Sequence, residues 1–352
     1  MSLIDKLKKN TNIKHSSLLS ESIFFTEKDM IPTDIPALNI ALSGSLDGGF
    51  VPGLTMWAGP SKHFKTGFTL MMVKAYLDMY KDDAVLFYDS EFGSPQSYFE
   101  AMGINPERVF HSPITDVEQL KFDIMNQLQN VERGDKLIIV IDSVGNLASK
   151  KEVDDALDQK AVADMSRAKQ IKSLFRMITP HLTLKNIPMV VVNHTYKEIG
   201  MFPKDIVGGG TGSYYSADYI FILGRQQEKD GTELTGYNFM INVEKSRYVK
   251  EKSKIPVSIS FEGGISRWSG LMDLALEAGL VIKPKNGWYA KVDSEGVIDG
   301  KNMRLSETEN SAFWKPILQS EKFKSFIEQK YRISNGAILT DEDIESTFGD
   351  AE

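Results

Sequence analysis

Several stretches of this chain are apolar at almost every position and stop abruptly at polar residues. Residues 54–57 run into Ala58-Gly59, 85–88 into Asp89-Ser90-Glu91, 137–141 into Asp142-Ser143, and 189–192 into Asn193-His194. Residues 219–223 repeat the pattern. Short continuous apolar runs rich in β-branched residues predict central strands covered on both faces. Segments of helical character separate them: 67–80, 116–131, and 154–178, which begins polar and turns amphipathic. The alternation predicts an α/β fold with a mainly parallel twisted central sheet. Ligands of such sheets bind beyond the carboxyl ends of the strands. Glu91, Asp142 and His194 all fall there.

The flanking regions read differently. Residues 1–30 form an arm in which Leu3, Ile4 and Leu7 share one helical face, with Lys6, Lys8 and Lys9 around it. That face docks either on its own domain or on a neighbouring subunit. The core spans 31–270. Within it, 195–213 is a loop containing Gly200, Gly208, Gly209, Gly210 and Gly212, and a loop that long in a compact domain is usually functional or disordered. Two strand-like runs between 238 and 260 flank a basic stretch. A small α+β C-terminal domain is expected over 271–335, with a helix at 271–278, a strand-like piece at Trp288-Tyr289 and a last helix over 311–331. An acidic tail, 336–352, follows.

Composition narrows the function classes. The chain has 352 residues, 41% of them hydrophobic, enough for a sizeable core. It has no cysteine, which excludes disulfides and thiolate-bound metals. No apolar run reaches the length of a membrane span, and no apolar segment follows the N-terminal lysines as in a secretory signal, so a cytoplasmic protein is expected. The net charge of −7 excludes a wholly basic nucleic-acid coat but leaves room for local basic patches. Residues 245–254 carry five basic side chains and one acidic; residues 341–352 carry six acidic and none basic.

The candidate chemistry centres on Gly59-Pro60-Ser61-Lys62-His63-Phe64-Lys65-Thr66, set between a strand run and a helix run. In that context, main-chain N–H groups and a helix N-terminus face phosphates, a lysine reaches the β/γ oxygens, and a hydroxyl such as that of Thr66 binds Mg²⁺. Phe64 stands where the motif wants glycine, and a residue with a Cβ takes strained backbone angles less cheaply than glycine. Asp142 is placed to hold Mg²⁺ directly or through water. Asp89 or Glu91 could orient the attacking water, and Glu91 reaches farther.

Taken together, Gly59-Pro60 to Lys65-Thr66, Tyr88-Asp89-Ser90-Glu91, Ile141-Asp142-Ser143 and Asn193-His194 resemble the bacterial RecA ATPase core. They are more similar still to the tailed-phage recombinases of the UvsX type, whose phosphate loop reads Gly-Pro-Ser-Lys-x-Phe-Lys-Ser/Thr. Residues 146–152 and 281–290 also resemble that group, and the likeness covers roughly 18–330. It implies an ATP-dependent strand-exchange recombinase that forms helical filaments on single-stranded DNA and pairs it with homologous duplex in recombination, repair and replication. The implied cofactors are ATP and Mg²⁺. The implied partners are DNA, further copies of the chain, a mediator and a single-strand-binding protein.

By the same resemblance, Gly59 through Gly67 cradle the nucleotide and Tyr98 stacks on its base. Glu91 activates water, Asp142 accompanies the metal, and His194 senses the γ-phosphate. Lys245 and Arg247 match a Lys-x-Lys pair that reaches the ATP of the next subunit. Arg167, Lys169, Lys172 and Arg176 are suited to DNA phosphates. Ile199 matches a residue that wedges between bases, and Gly209-Gly210 a pair that lets the loop approach the backbone. The acidic tail either mimics DNA or merely solubilises. A hexameric helicase on the same core and a non-catalytic paralogue are the competing readings.

Overall fold

The computed structural model describes residues 1–24, 29–159, 166–198, 200–201, 203–293, 295–334 and 336. Ile199 and the acidic stretch from 337 onward lie outside them. The arm carries helix α1 (Leu3–Asn10), opened by a capping box in which Ser2 and Asp5 satisfy each other's main-chain N–H groups. Leu3, Ile4 and Leu7 are exposed, so its apolar face is not covered by its own domain. Lys8 pairs with Glu21, and Arg133 donates to the Ile23 carbonyl.

The core begins with Ile31, which bridges to Phe50, and α2 (Pro36–Ser43), started by a proline at its first turn and stopped by Gly44 at φ +74°. Then come β1 (Gly53–Ala58), α3 (Lys65–Met79), β2 (Asp83–Asp89), α4 (Gln96–Ala101), β3 (Val109–Pro113), α5 (Val117–Asn130) and β4 (Lys136–Asp142). They are followed by α6 (Lys150–Leu157), α7 (Ser166–Lys185), β5 (Pro188–Asn193), a hairpin of β6 (Thr195–Lys197) and β7 (Asp205–Val207), and α8 (Thr211–Ser216). Strands β8 (Tyr219–Asp230), β9 (Glu233–Lys245), β10 (Lys254–Ser260) and β11 (Gly264–Ile265) close the core. The C-terminal unit contains α9 (Leu271–Glu277), β12 (Val281–Lys285), β13 (Trp288–Val292), β14 (Ile298–Met303), α10 (Ser311–Leu318) and α11 (Glu321–Tyr331).

Nine strands form one sheet in the order β11-β10-β9-β8-β1-β5-β4-β2-β3. The six from β8 to β3 are parallel, and β9, β10 and β11 extend the sheet antiparallel. Every residue of β1 and β5 is buried, as expected of strands covered on both faces. One face packs on α2, α3 and the helices of the C-terminal unit, where Trp57 stacks between Phe68 and Phe221. The other packs on α5 and α7. Among the described residues, no helix is long and apolar enough to cross a membrane.

The structure departs from the sequence reading in five places, the first being the unpredicted edge strand β3, whose residues are largely exposed. The run at 219–223 continues to Asp230, because β8 and β9 leave the core as a hairpin whose outer part is exposed and polar. The glycine-rich stretch 195–213 contains the β6–β7 hairpin and the start of α8. The final helix is two, broken where Ser320 takes extended angles (φ −70°, ψ 124°). The single strand-like piece near Trp288 is the middle of a three-stranded antiparallel sheet, β12-β13-β14.

Candidate functional site

Register brings the polar strand ends together. In the β2–β4 pair Asp89 lies opposite Asp142, so the serines that follow both aspartates become neighbours. Ser90 Oγ donates to the Ser143 carbonyl (2.7 Å), and Ser143 N–H donates back to Ser90 Oγ (3.1 Å). Asp89 is buried and accepts from the main-chain N–H groups of Glu91 (2.9 Å) and Phe92 (2.8 Å). It therefore builds the turn that presents Glu91, and of the two acids it is Glu91 that projects. Glu91 Oε1 accepts from Ser143 Oγ (2.6 Å) and lies 3.1 Å from His194 Nε2. A carboxylate oxygen can only accept, so Nε2 carries the proton. Oε2 has no hydrogen-bond partner among the described residues. The hydrogen bond from His194, then that from Ser143 and the charges of His194 and Lys65, hold the Glu91 carboxyl down at about 2 against the opposing effect of burial.

The phosphate loop sits beside this cluster. Lys65 is buried and folds back so that Nζ donates to the Pro60 carbonyl (2.9 Å). Burial lowers its pKa, while the Glu91 and Asp142 carboxylates oppose that shift. Thr66 Oγ1 donates to Asp142 Oδ2 (2.6 Å), and Asp142 Oδ1 is buried with no partner. Burial, with smaller contributions from the Glu91 and Asp89 charges, pushes Asp142 up to about 6. Mg²⁺ binds through one or two protein oxygens and fills its remaining positions with phosphate and water. A hydroxyl beside a carboxylate with an unused, desolvated oxygen fits that requirement.

Phe64 adopts the left-handed region (φ 58°, ψ 25°), as does Lys62 (φ 61°). Each such residue costs about 1–2 kcal/mol. The Phe64 ring recovers part of this by packing 5.7 Å from both Phe68 and Phe239, and Arg225 braces the loop through the Lys62 carbonyl (2.9 Å). The ring occupies the space beside Gly67: a Cβ there would lie 2.1 Å from Phe64 Cε1. The glycine that the motif lacks at 64 is thus required at 67. Phe64 and Tyr98 both line a cavity of about 520 Å³ together with Met71, Met102, Ile259 and Arg267.

At the end of β5, Asn193 is buried. Its carbonyl accepts from Gly59 N–H (3.3 Å), its Nδ2 donates to the Gly208 carbonyl (2.9 Å), and its Oδ1 accepts from His194 N–H (2.8 Å). The phosphate loop and the β6–β7 hairpin are therefore anchored on one residue. Gly209 (φ +85°) and Gly210 (φ +75°) carry the hairpin into α8 through left-handed angles.

On α7, Lys169, Lys172 and Arg176 are exposed. Arg167 departs from the phosphate-facing position that its spacing predicts. Its guanidinium turns inward, donating to the carbonyls of Leu147 (2.6 Å), Gly145 (2.7 Å) and Val144 (3.1 Å). Lys245 donates to the Tyr214 carbonyl (3.0 Å), and Arg247 pairs with Asp218 (2.7 Å). No hydrogen bond or ion pair among the described residues joins either to Lys65, Glu91 or Asp142. The sequence reading missed Ser143, Gly145 and Arg225. The repeated Asp-Ser at two strand ends was the available signal for Ser143.

A family model described as the RecA N-terminal domain matches residues 11–266. One described as the C-terminal domain of the bacteriophage T4 recombination and repair protein matches 268–327. The chain is 50% identical to the recombination and repair protein of Enterobacteria phage T4 over 98% of its own length and 89% of that protein's. It is 27% identical to protein RecA of Bacteroides thetaiotaomicron, covering 83% of this chain and 86% of the other. The crystal structure of the RadB recombinase aligns with 67% of this chain and 98% of its own, at 21% identity and a TM-score of 0.48.

Two expectations follow from the loop. Gly67→Ala should lose about 1–3 kcal/mol of stability through overpacking against the Phe64 ring, and should lose nucleotide affinity with it. Adding Phe64→Gly should recover both, which thermal unfolding and nucleotide titration of the single and double variants will show. The second concerns Asp142. Its folded-state pKa is raised, so the folded protein binds the extra proton between about pH 4 and 6, and above that range the carboxylate costs stability. Free of nucleotide and metal, Asp142→Asn should unfold at a higher temperature than the parent at pH 7.5, and the advantage should disappear by about pH 4.

Proposed function

This chain belongs to the RecA family of recombinases, and from that premise we propose that it is an ATP-dependent DNA strand-exchange recombinase. It polymerises on single-stranded DNA, hydrolyses ATP and pairs the bound strand with homologous duplex. The observation that carries this reading is Asn193: this one buried residue ties the phosphate loop, through its main-chain carbonyl, to the glycine-rich hairpin, through its side-chain amide, while the adjacent His194 touches the Glu91 carboxylate.

The geometry and the family resemblance together support the following assignment of roles. Main-chain N–H groups of residues 61–67 and the Lys65 ammonium receive the phosphates, and the base occupies the cavity walled by Tyr98 and Phe64. Thr66 and Asp142 would hold Mg²⁺, whose charge offsets that of the phosphates during transfer. Glu91, fixed through Oε1, orients a water with Oε2. With its pKa near 2 it is a weak base in this arrangement, and loss of the His194 hydrogen bond would raise its basicity. His194 is within reach of both Glu91 and the hairpin, as a sensor of the terminal phosphate requires. Lys245 and Arg247, whose hydrogen bonds go to Tyr214, Tyr215 and Asp218, serve the nucleotide of the neighbouring subunit. The exposed apolar face of α1 docks on that neighbour, with 1–30 acting as the polymerisation arm, 31–270 as the ATPase core and 271–335 as the small C-terminal domain. Lys169, Lys172 and Arg176 on α7, with the hairpin, face the DNA.

Glu91→Gln preserves the shape and the accepting oxygen but removes the charge that can take a proton. Nucleotide affinity should stay within a few-fold, and turnover in the presence of single-stranded DNA should fall by about 10²-fold or more. Steady-state hydrolysis beside equilibrium nucleotide binding checks this; normal turnover would move the water-activating role to another group.

A further inference from the structure

The inward turn of Arg167 makes a set of contacts that phosphate binding does not account for. The three carbonyls it holds belong to the segment after β4. That segment touches the hydrolytic cluster twice. Ser143 at its start donates to Glu91, and Gly145 lies against the His194 ring so closely that a Cβ on it would come 2.3 Å from His194 Cδ2. The segment is pinned to β5 on its other side by Val144 N–H donating to the Val192 carbonyl (3.1 Å). Its ties to α7 are the three bonds of Arg167 and, at its far end, the Ser149 and Ser166 hydroxyls 2.8 Å apart; Arg167 holds the part next to the hydrolytic cluster. On the same helix, Lys172 packs against Gly212, where a Cβ would meet the Lys172 main chain at 2.8 Å.

We propose that Arg167 is a positioning residue for hydrolysis: its guanidinium locks the 143–149 segment to α7, so that the placement of α7 sets the placement of the Glu91–His194 pair. A rigid helix with exposed cations on one side and a three-point clamp on the other transmits a load on its outer face directly to the clamp. Arg suits the task because its planar fork presents several fixed donors, which the single ammonium of Lys cannot reproduce. The residue acts through Ser143 and Gly145 and touches neither DNA nor nucleotide. This rests on the hydrolytic reading above.

The experiment uses the full chain with Arg167→Gln and Arg167→Lys, and Lys169→Ala as the phosphate-contact comparison. ATP turnover is measured with and without saturating oligo(dT). Oligo(dT) affinity is measured across a salt series, and thermal unfolding reports the fold. For Arg167→Gln, the DNA-stimulated kcat should fall about 10-fold or more, with the KM for ATP unchanged and Arg167→Lys intermediate. The salt slope of DNA binding should match the parent, whereas Lys169→Ala should make it shallower by about 0.7, the contribution of one single-strand phosphate contact. A shallower slope for Arg167→Gln, or a DNA-stimulated kcat equal to the parent's, overturns the inference. Parallel losses of kcat, affinity and unfolding temperature would make Arg167 a structural residue and also overturn it. A parent protein that hydrolyses no ATP would instead bring down the hydrolytic reading itself, and the inference with it.

Discussion

Three hydrogen bonds of Asn193 hold the working parts of this molecule in one place. Its carbonyl binds the start of the phosphate loop, its amide binds the return strand of the glycine-rich hairpin, and its side-chain oxygen fixes the main chain of His194. Because Asn193 is buried at the end of a central strand, these bonds are made where water cannot compete for them, and losing one would leave an unsatisfied polar group at a cost of about 1–3 kcal/mol. The phosphate loop and the glycine-rich hairpin therefore share a single fixed point.

Around that point the structure carries several local costs. Lys65 and Asp142 are buried ionisable groups, each shifted toward its neutral form, and Phe64 and Lys62 hold left-handed angles. Such costs persist where surrounding packing over-determines the conformation. Here the wholly buried β1 and β5, and the aromatic stack of Trp57, Phe68 and Phe221, supply that packing directly beneath the loop. Phosphates beside Lys65 and a divalent cation beside Asp142 would relieve the two charge penalties.

Much of this was legible in the chain. The apolar runs announced five of the six parallel strands, and their polar ends announced the site, because a strand buried on both faces leaves a continuous apolar signature; the largely exposed edge strand β3 leaves none. The outer half of β8 was not legible, since its exposed residues alternate with nothing buried. The three-residue strands β6 and β7 are too short to show a period. Phe64 could be read as a departure from the motif, but its consequence at Gly67 depends on where a ring goes in three dimensions. Arg167 shows the limit most clearly: helical spacing put it among phosphate-facing cations, while the carbonyls that claim it belong to a segment about twenty residues earlier, which no local pattern reveals. Ser143 lay between these cases, because its role follows from the register of β2 on β4.

The central claim is that the nucleotide and DNA sites are coupled through the Asn193-His194 corner. The most direct measurement is the affinity for single-stranded DNA with and without a non-hydrolysable ATP analogue, in the parent and in His194→Ala. In the parent the analogue should tighten DNA binding by about 5–150-fold, the usual range for coupled sites. In His194→Ala each ligand should still bind alone while the tightening is lost. Full tightening in His194→Ala would contradict the account and leave His194 with a structural role only.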